Sequence, residues 1–152
     1  MAIAMEAFYA IEDKAAMISE VFSALKPVSQ FVLTDYVRAD DSEPSPALRS
    51  WIETEVPRPY LWTPDQMVEA LVDAGFEVED TIDVTRELHR NVLKHWVRYT
   101  AGLKPGSLKG AAAAAVIAEV EYWFRRLALL ESGDLRCYRI HALRRGITPK
   151  SY

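Results

Sequence analysis

The sequence predicts an α/β protein built around a largely parallel sheet. Helix-spaced and strand-like apolar segments alternate along the chain. The stretch Ala24-Leu25-Lys26-Pro27-Val28-Ser29-Gln30-Phe31-Val32-Leu33-Thr34-Asp35-Tyr36 joins a helix end to a strand through a short turn. Within it, Phe31, Val32 and Leu33 run on without a polar break, the pattern of a strand covered on both faces. Strand–helix–strand units joined by helices imply parallel pairing.

Each element has a local reason. Ala2-Ile3-Ala4-Met5 is a short apolar run that suits a buried strand. Asp13 can cap a helix whose apolar positions Ile18, Val21, Phe22 and Leu25 recur at helical spacing, and Pro27 ends it. Gln30 to Val37 is the next strand. Residues 38–62 change character: Asp40-Asp41-Ser42, Pro44, Pro46, Pro57 and Pro59 interrupt regular structure, while Trp51, Ile52, Tyr60, Leu61 and Trp62 argue against a disordered linker. This is a packed irregular excursion with a helical turn or two near Leu48 to Thr54.

Thr63-Pro64-Asp65-Gln66 combines an N-cap, a proline at the first helical position and a capping-box glutamine. Met67, Leu71 and Ala74 face inward, and Gly75 closes the helix. Phe76 to Val84 alternates as a strand with one wetter face, near a sheet edge. Thr85 is expected to cap a helix reaching Tyr99. After a loop from Gly102 to Gly110 that contains Pro105, a helix spans Leu108 to Leu130. Leu135 to Leu143 is the last strand, followed by a polar tail. The whole chain, 1–152, reads as one domain without internal repeats.

The chain has 152 residues, half of them hydrophobic and 26% charged, enough for one core. A net charge of -4 argues against a general nucleic-acid binder. Arg125 and Arg126 read as solvated surface. The lone cysteine, Cys137, offers no internal disulfide and points to the cytoplasm. No apolar run approaches the roughly 20 residues that span a bilayer.

Candidate chemistry is sparse. Asp35 and Tyr36 end a strand, where ligands of open α/β sheets gather. The carboxylate there could orient a substrate amine or hydroxyl, or cap local amides. Trp51, Tyr60 and Trp62 could wall a site for a cationic amine through cation–π attraction, or pin the excursion to the core. Trp96, Tyr99, Tyr122 and Trp123 lie at helical spacing and read as core. His89, His95 and His141 lack metal-ligand spacing, so no metal is expected. No nucleophile–base set stands out, and the catalytic residues stay unassigned.

Several junctions together resemble the class I S-adenosylmethionine-dependent methyltransferases acting on small molecules. They are Leu25-Lys26-Pro27 before the strand ending in Asp35-Tyr36, Trp62-Thr63-Pro64-Asp65, and Ala74-Gly75-Phe76-Glu77-Val78. The resemblance covers only the second half of that Rossmann-like fold. It implies strands equivalent to the fourth to seventh, the last one antiparallel beside the fifth, with helices on both faces. It also implies that Met5, Glu6 and Ala7 line the cofactor pocket, beside which Asp35, Tyr36, Trp51, Tyr60 and Trp62 remain the substrate-side candidates. Two departures matter. Val28-Ser29 replaces the usual Gly-Gly, so the turn lacks glycine's conformational freedom. The Gly-rich loop that holds the cofactor is missing, and Gly102, Gly106 and Gly110 do not follow a strand. S-adenosylmethionine binding by this chain alone is therefore expected to be weak or absent. The open first strand calls for a second copy or a partner chain. A truncated or partial methyltransferase is one reading; a non-catalytic dimerisation or binding module is the other.

Overall fold

The computed structural model describes residues 1–104, 106 and 108–146. Its strands are β1 (Ala2–Met5), β2 (Ser29–Arg38), β3 (Glu77–Asp83) and β4 (Leu135–Arg144). Its helices are α1 (Lys14–Ala24), α2 (Pro46–Thr54), α3 (Pro64–Asp73), α4 (Thr85–Gly102) and α5 (Gly110–Ser132), with a 3-10 turn at Phe8–Ala10. The expected loop residue Pro105 and the end of the polar tail, from 147 on, lie outside the described residues.

The four strands form one sheet in the order β1-β2-β4-β3. β1 runs parallel to β2, and β4 lies antiparallel between β2 and β3. The antiparallel last strand beside β2 matches the expected topology. Phe31 opposes Ala142 and Leu33 opposes Ile140. These four side chains share one face, under α1 and α3, and pack with Ile18, Met67, Leu71 and Phe76. On the opposite face Tyr36 and Leu135 pack with Leu48 and Trp51 of α2 and with Leu127 and Leu130 of α5. Helices thus cover both faces.

The cover on the second face is incomplete. Val32 and Thr34 are only half-buried, although β2 is a central strand. On the same face of the edge strand β1, Ile3 is 60% and Met5 69% exposed. The apolar runs in β1 and β2 therefore predict strands correctly but overstate their burial. Among the described residues, no helix lies over this end of the sheet.

The caps are local. Asp13 accepts from the Ala16 amide at 2.9 Å and starts α1. Thr63 Oγ1 accepts from the Gln66 amide, and Gln66 Oε1 accepts from the Thr63 amide, completing the capping box of α3. Gly75 closes that helix at φ 103°, where a side chain would meet the Phe22 ring at 2.9 Å. Three expectations need correction. Thr85 does not cap α4: its hydroxyl accepts from the Cys137 amide at 3.0 Å, tying the helix to β4, while its own amide donates to Asp83. α5 begins at Gly110 rather than Leu108. The excursion holds a full helix, α2, because Ser45 accepts from the Leu48 amide ahead of Pro46. β3 is an edge strand, as its wet face suggested, but an irregularity between Val78 and Asp80 breaks the alternation.

The turn before β2 shows what the missing glycine costs. Val28 sits at φ 59° and is 85% exposed. A β-branched residue in the left-handed region is strained, and here it gains little burial in return. Val28→Gly should raise unfolding free energy by about 1 kcal/mol, relief of strain exceeding glycine's added unfolded-state entropy. Denaturant titration checks this; a loss of stability would show that the turn tolerates valine.

Candidate functional site

The carboxyl ends of β1 and β2 form the rim where an α/β sheet holds ligands. Glu6 leaves β1 at φ 49°, its amide donating to the Thr34 carbonyl at 2.7 Å. This turn aims the Glu6 carboxylate at β2, where Oε2 accepts from the Tyr36 hydroxyl at 2.9 Å. Burial, then the Glu6 charge, raises the Tyr36 pKa far above the usual phenol range. Met5 and Ala7 stay exposed on either side of Glu6.

The expected aromatic residues fall into two groups, on opposite faces of β2, and each group already holds a cation. On the α5 side that cation is Arg126, which is 3% exposed rather than solvated. Its guanidinium lies 5.1 Å from the Tyr36 ring centre, 5.7 Å from Trp51, 5.5 Å from Tyr9 and 4.4 Å from Tyr122. Nη2 donates to Glu55, to the Tyr122 hydroxyl and, at 3.2 Å, to the Tyr9 hydroxyl. Burial opposes the charge, but the Glu55 hydrogen bond and carboxylate outweigh it and keep the guanidinium ionised. Glu55 and Arg126 each expose about 4% of their side chains.

On the α1 side the cation is Lys14, which is fully buried. Nζ donates to the carbonyls of Ile11, at 2.6 Å, and Tyr60. It lies 5.5 Å from the Trp62 ring centre and 6.0 Å from that of Tyr60. Burial lowers its pKa from 10.5 to about 8, with Asp35 acting in the opposite direction. Asp35 is 1% exposed and accepts from the Tyr9 amide at 3.0 Å and from the Tyr36 amide at 2.7 Å. Burial raises its pKa from 3.8 to about 6, partly offset by those amides and by Lys14.

So the structure brings Tyr36 and Trp51 together around Arg126, with Glu6 on the Tyr36 hydroxyl, and Asp35, Tyr60 and Trp62 around Lys14. Sequence reasoning missed Lys14, Glu55 and the burial of Arg126. A signal existed for the first: Lys14 precedes Ile18 by four positions and Val21 by seven, on the apolar stripe of α1. The glycines of the α4–α5 connection leave open space where a side chain would be added at 102, 106 or 110, so nothing there requires a close backbone approach. Trp96, Tyr99 and Trp123 are not core: they line a cleft between α4 and α5.

The comparisons agree with this topology. No family model and no curated protein matches the sequence. Solved structures do. Phosphoethanolamine N-methyltransferase 2 of Haemonchus contortus, in complex with S-adenosyl-L-methionine, is similar with a TM-score of 0.75 and 17% identity, over 95% of this chain and 32% of that one. The cyclopropane synthase MmaA2 of Mycobacterium tuberculosis gives 0.75 and 14%, over 93% and 54%. The [4+2]-cyclase SpnF gives 0.56 and 20%, over 97% and 51%. The chain has part of the Rossmann-like methyltransferase fold and spans about a third to a half of these structures' length. The cyclase in the set shows that the fold alone does not fix the reaction.

The buried Asp35 supplies a test. An acid whose pKa is raised on folding contributes most below its unfolded value, here 3.8, and loses that contribution as pH rises through about 6. The difference in unfolding free energy between the native chain and Asp35→Asn should therefore fall by about 2–3 kcal/mol from pH 4 to pH 7. Lys14, with its pKa lowered, works in a higher window: its contribution is full above 10.5 and is lost as pH falls through about 8. A difference that stays flat between pH 4 and 7 would mean that Asp35 is solvated.

Proposed function

We propose that this chain is one part of an S-adenosylmethionine-dependent methyltransferase for a small molecule, working in the cytoplasm and completed by polypeptide that supplies the remaining fold. The observation that carries this reading is the coverage: nearly all of the chain superposes on a third to a half of each matched structure. The open edge of β1, with Ile3 and Met5 bare, is where the additional strand would pair. Methyl transfer to a good nucleophile asks for alignment and exclusion of water more than for a catalytic acid or base.

The rim fits the cofactor only in part. Glu6 has one carboxylate oxygen taken by Tyr36 and Ala7 is exposed, so this segment offers a few contacts. The Gly-rich loop that would hold the rest is not in the sequence. Losing two or three hydrogen bonds to a charged ligand, at about 1.5–3 kcal/mol each, moves a micromolar site to millimolar or weaker. Calorimetric titration of the isolated chain with S-adenosylhomocysteine should give no binding tighter than about millimolar. Micromolar binding would overturn the partial-site reading.

A second reading, a non-catalytic dimerisation or binding module, is favoured by one observation: both aromatic groups are occupied by Lys14 and Arg126. Either reading leaves β1 in need of cover. In light scattering the isolated chain should associate, and Met5→Lys should shift it toward monomer. A stable wild-type monomer would remove the need for a second copy.

A further inference from the structure

We propose that the cleft between α4 and α5 binds an amphipathic amine, a protonated amino group carried on a hydrocarbon body. This site adjoins the rim cluster through Trp123, whose ring centre lies 5.5 Å from the Arg126 guanidinium, and it does not depend on the methyl-transfer reading. The cleft has a volume of about 650 Å³, in the range of small-molecule sites. Val92 and Val116 line it together with the rings of Trp96, Tyr99 and Trp123. Trp96 and Tyr99 meet edge to face, with centres 5.8 Å apart, and give the wall a fixed shape.

The polar lining selects the ligand's charge. Among the described residues, Glu119 is the only carboxylate on the cleft wall. Its Oε1 accepts from Trp123 Nε1 at 2.9 Å, which holds the group beside the indole. Among the described residues, no cation stacks on Trp96 or Tyr99 and no basic residue pairs with Glu119; of the three cleft rings only Trp123 faces a cation, Arg126 at 5.5 Å. The opposite holds at the rim, where the rings already face Lys14 and Arg126. A carboxylate among indole and phenol rings attracts an ammonium by charge and by the ring faces, and repels a fatty carboxylate. His95 completes the polar lining; its Nδ1 donates to the Asn91 carbonyl at 2.7 Å.

The test uses the whole chain, with tryptophan emission as readout. Dodecylamine is titrated below its critical micelle concentration, against dodecanoate as the chain-length control. The expected result is saturable quenching by the amine, with the acid weaker by at least about fivefold. Glu119→Gln keeps an acceptor for Trp123 and should weaken the amine by about fivefold or more while leaving the acid unchanged or improved. Val116→Trp should fill the cleft and abolish amine binding. Equal affinity for amine and acid, or an unchanged amine affinity in Glu119→Gln, would overturn the proposal. Should Val116→Trp unfold the hairpin, the Glu119→Gln comparison decides by itself.

Discussion

Arg126 sits where four parts of the chain meet, and its burial constrains all of them. Tyr9 comes from the 3-10 turn after β1, Tyr36 from β2, Trp51 from α2 with Glu55 capping its end, and Tyr122 from the preceding turn of α5. A charge without water must be paired and surrounded, or it costs several kcal/mol. Here Glu55 supplies the countercharge and the ring faces supply the rest of the surroundings. This makes a helix from the proline-rich excursion indispensable to a helix sixty or more residues later. The excursion carries the carboxylate that pairs with Arg126, and its Leu48 and Trp51 pack into the same cluster.

The two faces of the sheet are held by different means. Under α1 and α3 the packing is apolar, with a single buried amine, Lys14, tied to two backbone carbonyls. Under α2 and α5 the cover is shorter and is organised around an ion pair. It protects Tyr36, Cys137 and Leu135 but stops before Val32, Thr34, Ile3 and Met5. Buried Cys137 shows the contrast: loss of water, with the nearby Glu6 and Asp35 charges, pushes its thiol up to about 12 and leaves it unreactive. A parallel strand pair is normally covered on both faces, so the bare end of β1 and β2 is the least complete part of the fold.

The fold was largely legible because its signals are local. The capping box at Thr63, the glycine at 75 and the join through Pro27 each fix an element within a few residues, and the order of elements gives the topology. What escaped depends on contacts across the chain. Nothing near Arg126 in sequence names Glu55, 71 positions away, as its partner. Nothing near Phe31-Val32-Leu33 tells whether the second face has a helix over it. Charged residues on apolar stripes were the readable clue. Lys14 lies on the stripe of α1, and Arg126 follows Trp123 by three positions and Tyr122 by four. Treating Arg126 as surface followed from residue type alone.

The residues gathered at the rim were legible as aromatic and acidic, but not in what they face. An aromatic wall attracts whichever cation can reach it with the least loss of entropy, and a cation on the same chain is already tethered there. For an external amine to use Tyr36 and Trp51 it would have to displace Arg126, leaving Glu55 buried and unpaired. That cost exceeds what a single cation–π contact returns. Any small molecule at this rim must therefore be held by groups that are not committed elsewhere: the free oxygen of Glu6, the exposed backbone at Ala7, and whatever polypeptide covers β1. The internal ion pair that completes the fold is also what narrows the chemistry the rim can offer.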